Sequence, residues 1–176
     1  MKKICTVFFI LIILFSLVGC DATKRGVQQK IHEENYILSL PKENISESEI
    51  EALSLAINDE YKARATYKKV IEKFGEVRPF SNIINSEENH ISALKSLYNK
   101  YDLDIPTDEW YDKVPEFDSV EDACEAGVHA EVENAALYDE LFSKVDNQDI
   151  IAVFTSLRDA SENSHLPAFE KCGGTR

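Results

Sequence analysis

Apolar residues recur every three or four positions along four stretches of the chain. The stretches cover residues 46–74, 79–98, 121–142 and 147–172. This spacing places apolar side chains on one face of an α-helix, so it predicts four amphipathic helices. Ser46 with Glu49 predicts a capping box at the start of the first helix, and Gly75 favours its end.

The connections between these helices differ in length. A few residues join the first helix to the second and the third to the fourth, whereas the segment 101–120 between the second and third is long and contains Pro106, Trp110 and Pro115. Two tight helical hairpins with one long crossover are typical of ferritin-like bundles. The sequence therefore predicts an all-α, ferritin-like four-helix bundle over residues 46–172.

The first twenty residues have the pattern of an export signal. Lys2 and Lys3 precede an apolar run over 4–18, and Leu-Val-Gly then stands directly before Cys20. This arrangement resembles the lipobox of bacterial lipoproteins, which implies a signal peptide over 1–19 and a lipid on Cys20. The alternatives are an ordinary signal peptide or an uncleaved anchor, although the run is shorter than the ~20 residues of a spanning helix.

By this interpretation residues 20–45 form the lipidated cysteine and a polar tether, and residues 173–176 form a short tail. The chain is then extracytoplasmic and anchored to the membrane through Cys20. The net charge of −13, from 19 Lys and Arg against 32 Asp and Glu, argues against nucleic acid as a partner.

Each predicted helix has a glutamate on its apolar face, and two of the helices add a histidine three residues later. Residues three apart project to the same side of a helix, so each Glu-x-x-His pair can offer an oxygen and a nitrogen to one metal ion. We therefore predict a site for two metal ions, with the ligands Glu60, Glu87, His90, Glu131, Glu162 and His165.

A weak internal repeat supports this grouping. A shift of 71 residues aligns Glu60 and Tyr67 with Glu131 and Tyr138, and a shift of 75 residues aligns 86–90 with 161–165. One Glu-x-x-His pair can arise by chance in so acidic a chain, but two on alternate helices are harder to explain in that way.

Four carboxylates in one core repel each other, whereas two divalent cations balance their charge. Oxygen-rich ligation with imidazole favours iron, or manganese, over structural zinc.

These motifs carry a family resemblance. Glu60, Glu131 and the segments 87–90 and 162–165 resemble the diiron-carboxylate ligands of the ferritin-like superfamily, near rubrerythrin. Within it, 58–64 and 164–169 resemble the uncharacterised family known as domain of unknown function 2202. The resemblance implies that Glu87 and Glu131 bridge two irons, with Glu60 and His90 completing one iron and Glu162 and His165 the other.

Two departures from rubrerythrin bear on the chemistry. Asn134 stands where rubrerythrin-type peroxidases commonly have a further carboxylate, and the sequence has no Cys-x-x-Cys pair for a rubredoxin-like iron. A redox-active protein of this kind then needs an external electron donor.

Tyr67 and Tyr138 lie two turns beyond Glu60 and Glu131. Their hydroxyls are predicted to hydrogen-bond ligand carboxylates, with ordinary core tyrosines as the alternative. Arg158, one turn before Glu162, either pairs with that carboxylate or lies in solvent.

The two cysteines of the predicted bundle are placed symmetrically about the candidate ligands. Cys124 comes seven residues before Glu131, and Cys172 comes seven after His165. In antiparallel neighbouring helices this brings both to a similar height, because seven residues rise about 10.5 Å. An exported domain permits a disulfide between them.

The leading functional hypothesis is a membrane-anchored diiron protein that reacts with dioxygen or peroxide, with Fe(II) oxidation as the simplest activity. It would be an oxidoreductase of the ferroxidase or peroxide-reducing kind. The alternative is a non-enzymatic metal-binding or sensing module whose bundle docks a partner.

Overall fold

All regular secondary structure in the described part of the chain is helical. The computed structural model describes Ser39 and residues 42–173, and this part contains no strand. Its α-helices are α1 (Glu47–Phe74), α2 (Phe80–Lys100), α3 (Val120–Leu141), α4 (Gln148–Ala160) and α5 (Leu166–Lys171). The predicted signal peptide, Cys20 and nearly all of the tether lie outside the described residues. Within those residues, no helix combines the length and apolar character that crossing a membrane requires.

The predicted capping box is confirmed, and one of its members has a second role. Ser46 Oγ accepts from the backbone N–H of Glu49, and Glu49 Oε2 accepts from that of Ser46. Glu49 Oε1 accepts from the N–H groups of Asp146 and Asn147, at 3.1 and 2.9 Å. Burial raises the pKa of Glu49, but these backbone donors outweigh it and the pKa is lowered. Glu49 thus joins the start of α1 to the turn before α4.

The helices pack as a bundle. α1 contacts α2 and α3, α4 contacts α2 and α3, and α5 contacts α3. Two apolar clusters fill the interior: one contains Ile57 and Tyr138, and the other contains Tyr67 and Val128. Along both α1 and α3, a glutamate falls between a residue of one cluster and a residue of the other. The candidate ligands therefore occupy a polar layer between two apolar ones.

The predicted fourth helix is not continuous. α4 ends at Ala160, a π-helical turn follows over Ser161–His165, and α5 then begins. The N–H of Leu166 donates to the carbonyl of Ser161, the five-residue bond of a π turn. Pro167 lacks a backbone N–H, so the regular α-helical bonds cannot run unbroken through this stretch.

The segment from α5 to Cys172 is held against α3 by a covalent bond and by close packing. Cys124 and Cys172 form the predicted disulfide, with their Cα atoms 5.9 Å apart. Nearby, Gly127 lies against the ring of Phe169, which would be only 2.6 Å from a Cβ at that position. A glycine is therefore needed where α5 approaches α3.

Candidate metal centre

Five of the six predicted ligands come together in the polar layer. They are buried, with exposed fractions between 1% and 7%, and comprise Glu60, Glu87, His90, Glu131 and His165. They form two groups of three whose ligand atoms all lie within 4.8 Å of one another. The first group is Glu60, Glu87 and His90, and the second is Glu87, Glu131 and His165. Glu87 belongs to both groups.

The two oxygens of Glu87 face different histidines. His90 Nδ1 lies 3.2 Å from Glu87 Oε2 and 3.0 Å from Glu60 Oε2. His165 Nδ1 lies 3.2 Å from Glu87 Oε1 and 3.4 Å from Glu131 Oε2. Each Nδ1 thus faces two carboxylates, and Glu87 spans the two groups as a bridging ligand does. The family resemblance implied that Glu131 also bridges the two metal ions, but Glu131 belongs to the second group alone.

The donor set fits a pair of divalent cations. Glu87 Oε1 and His165 Nδ1 are buried and, although they face each other, neither makes a hydrogen bond within the described part of the chain. A buried polar atom left unsatisfied costs about 1–3 kcal/mol. A cation in the second group would satisfy both atoms. Three carboxylates with two imidazoles suit iron or manganese.

Neighbouring hydroxyls fix the orientation of the ligands. Tyr67 donates to Glu131 Oε1 at 2.6 Å, and Tyr138 donates to Glu60 Oε1 at 2.7 Å. Both hydrogen bonds predicted for the tyrosines are present. Ser86 Oγ lies 3.2 Å from His90 Nε2, where it can accept the ring proton and leave Nδ1 free for a metal.

The side chain of Asn134, on α3, supports Glu60 through hydrogen bonds that the sequence did not predict. Asn134 donates through Nδ2 to Asp59 Oδ2 at 2.8 Å and to Glu60 Oε1 at 3.3 Å. Its Oδ1 accepts from Ser161 Oγ at 2.6 Å. Asn134 therefore links α1 to the π turn. Burial raises the pKa of Asp59 to about 6.

The electrostatics of the cluster without a cation favour protonated histidines. Burial alone would lower their pKa values, but hydrogen bonds to Glu60 and Glu87 raise that of His90 to about 10. The adjacent negative carboxylates of Glu131 and Glu87 raise the pKa of His165 to about 9. Burial and the charge of Glu87 raise the pKa of Glu60. A metal ion must displace the protons on the two Nδ1 atoms, so its binding is coupled to proton release.

Glu162 is the predicted ligand that the structure does not bring to the cluster. Its side chain is 47% exposed and pairs with Arg158 at 3.0 Å. The prediction assumed α-helical spacing between Glu162 and His165, whereas both lie in the π turn. A π turn has more residues per turn, so positions three apart diverge. Arg158 also binds Asp139 at 2.6 Å, so it pairs with carboxylates on the outer side of the bundle.

Comparisons with known proteins confirm the resemblance to domain of unknown function 2202. Residues 49–173 match the family model described as "Uncharacterized protein domain (DUF2202)". The uncharacterised protein MJ0754 of Methanocaldococcus jannaschii is 34% identical over 149 residues, which cover 76% of this chain and 80% of that protein. The crystal structure of the hypothetical protein MJ0754 superposes with a TM-score of 0.70 at 32% identity, over 78% of this chain and 89% of that one. The chain therefore belongs to the DUF2202 family.

Proposed function

We propose that this protein binds two divalent metal ions, preferentially iron, and uses them to react with dioxygen or peroxide. The observation that carries the proposal is the sharing of Glu87 between two buried groups, each with one further glutamate and one histidine. The proposed fold is ferritin-like, with hairpins α1–α2 and α3–α4 joined by the long segment 101–119.

Each ligand has a distinct task in this proposal. Glu87 would hold both ions through its two oxygens, and the imidazoles of His90 and His165 would each hold one ion through Nδ1. Tyr67 and Tyr138 keep one oxygen of Glu131 and of Glu60 occupied, which leaves the other oxygen for a metal.

Iron, when bound, supplies the change between Fe(II) and Fe(III). Two Fe(II) ions would supply the two electrons that, together with two protons, reduce one hydrogen peroxide to two waters. Fe(II) is itself the reductant, so this activity needs no separate donor. A catalytic cycle that retains the iron would need an external electron donor.

We also propose that the domain acts outside the cytoplasm, anchored by a lipid on Cys20. The residues before Cys20 resemble a lipobox, and a disulfide such as Cys124–Cys172 is typical of exported proteins. Mass spectrometry of the mature chain should find a lipid on an N-terminal Cys20, and Cys20→Ala should lack this lipid. An unmodified Cys20 in a chain that still begins at Met1 would argue for an uncleaved anchor.

The metal proposal is tested by anaerobic Fe(II) titration of the chelator-treated protein, followed by hydrogen peroxide or dioxygen. We expect two Fe(II) per chain and rapid ferric absorption in the wild type. Glu87→Gln should weaken the binding of both ions by more than about tenfold, because it removes a ligand from each group. Glu125→Gln, at an exposed position on α3, is the matched control and should behave as the wild type.

The possible results separate the candidate functions. Fewer than two ions per chain would contradict the dinuclear centre. Two bound ions that do not react with either oxidant would instead support the non-enzymatic metal-binding or sensing module.

A further inference from the structure

A small cavity lies between α1 and α3, beside the second group of ligands. Its volume is about 30 Å³, and its walls include Ala63, Glu87, Ala130 and Glu131. Such a space holds about two water molecules. The half-buried residues Ala63 and Ala130 stand on opposite helices, whereas Glu87 and Glu131 are buried. The cavity therefore connects partly exposed residues with candidate metal ligands.

The charge of the loaded centre points to an additional ligand. Two divalent cations bring four positive charges, whereas only three carboxylates are buried with them, because Glu162 lies outside the cluster. With both histidines neutral, one positive charge is left over. Asp59 and Lys62 also line the cavity, and their opposite charges offset each other. A bound monoanion would complete the balance.

An unsatisfied atom indicates where exchange takes place. Glu87 lines the cavity, its side chain is 2% exposed, and its Oε1 makes no hydrogen bond within the described residues. Among the five buried candidate ligands, those that line the cavity are Glu87 and Glu131, and both belong to the second group. The open coordination position therefore belongs on the cavity side, at the second group.

We infer that this cavity is the exchangeable-ligand site of the metal centre, and that it admits water, peroxide or an anion of up to three heavy atoms. Organic substrates are excluded by its volume. This inference rests on the proposed function, since it specifies the class of co-substrate that reaches the same centre. Ala63 and Ala130 have the smallest side chains among the partly exposed residues of the cavity walls, so we place the entrance between them.

The test uses the chain loaded with Co(II), whose visible absorption reports changes in coordination, and azide as a three-atom anion. We expect azide to change the spectrum of the wild type. Ala130→Leu should weaken azide binding by about tenfold or more, because the added atoms fill the entrance. Ala136→Leu, the same substitution at an exposed position of α3, is the control and should leave azide affinity unchanged. Ala63→Val narrows the cavity from α1 and serves if Ala130→Leu fails to fold.

Each outcome bears on a defined claim. Wild-type affinity for azide in a folded Ala130→Leu or Ala63→Val protein that retains two Co(II) would overturn the assignment of the entrance. A wild type that binds two Co(II) but does not respond to azide would overturn the exchangeable site and leave the dinuclear centre standing. A wild type that binds no Co(II) would instead refute the proposed function. Benzoate should have no effect, and a benzoate response equal to that of azide would overturn the size limit.

Discussion

Removal of one hydroxyl at the metal centre tests how the bundle orients its ligands. Tyr138 is fully buried and donates to Glu60 Oε1 at 2.7 Å. In Tyr138→Phe, the remaining donor to this oxygen among the described residues is Asn134, at the longer distance of 3.3 Å. The ring itself is retained, so its packing against Phe154 should be preserved.

The expected magnitude follows from the charge of the acceptor. A hydrogen bond to a charged group contributes about 1.5–3 kcal/mol, which corresponds to roughly 10- to 150-fold in a binding constant. Partners that orient metal ligands typically change affinity by about 10- to 100-fold when removed. We therefore expect the ion held by Glu60 and His90 to bind about 10- to 100-fold more weakly. The ion held by Glu131 and His165 should be affected less, because Tyr67 still orients Glu131.

The assay is competition for Co(II) with a chromophoric chelator, which resolves the two binding steps. Tyr98→Phe is the matched control, because Tyr98 is also buried and its hydroxyl has no hydrogen-bond partner among the described residues. An affinity of Tyr138→Phe for both ions equal to that of the Tyr98→Phe control would refute the role assigned to the hydroxyl. Equal weakening of both steps would contradict the division of the cluster into two groups.

Three further predictions concern stability. Gly127→Ala should lower the free energy of unfolding by about 1 kcal/mol in urea denaturation. Overpacking of the new Cβ against Phe169 costs about 1–3 kcal/mol, which outweighs a gain in helix propensity of about 1 kcal/mol. A stabilised variant would contradict the close contact. Cys124→Ser should cost about 2–4 kcal/mol, since the bond closes a loop with a sequence separation of 48, and reductant should then have no additional effect on unfolding. Finally, His90 and His165 have pKa values of about 10 and 9, above the ordinary 6.5, so their contribution to the stability of the metal-free protein is complete below 6.5 and is lost as pH rises towards 10. Thermal unfolding of the metal-free protein should therefore show a Tm that falls as pH rises from 6.5 to 10. A constant or rising Tm would contradict the ion pairs of these histidines with the glutamates.

Periodicity predicted the regular parts of the molecule well. The spacing of apolar residues depends on the ordinary α-helical repeat, and α1, α2 and α3 follow it. Glu60, Glu87 and Glu131 were therefore placed on the correct faces, together with His90. The two tyrosines followed from the same spacing, because each lies whole turns away from a glutamate on its own helix.

The same reasoning failed where the helix is irregular. The spacing predicted one helix over 147–172, whereas a π turn interrupts it at Ser161–His165. The exposed position of Glu162 follows from that irregularity.

Polar residues beside the ligands were missed because their partners are distant in the sequence. Asp59 is next to Glu60, yet its bond is to Asn134, 75 positions away. The sequence did contain a signal for two serines, because the internal repeat aligns 86–90 with 161–165 and so pairs Ser86 with Ser161. Ser86 hydrogen-bonds the candidate ligand His90, and Ser161 hydrogen-bonds Asn134, which supports Glu60.

The irregular turn also makes the two halves of the centre unequal, despite the repeat. The first group lies on the regular helices α1 and α2, and Tyr138, Asn134 and Ser86 hold its ligands. In the second group, His165 ends a π turn whose onward chain is held to α3 by the Cys124–Cys172 disulfide. It is also the group with unsatisfied atoms and the one that borders the cavity. The first ion should therefore bind more tightly and serve as the fixed one, while the second ion exchanges ligands. Reduction of the disulfide should then weaken the second binding step more than the first, because it frees the segment that positions His165.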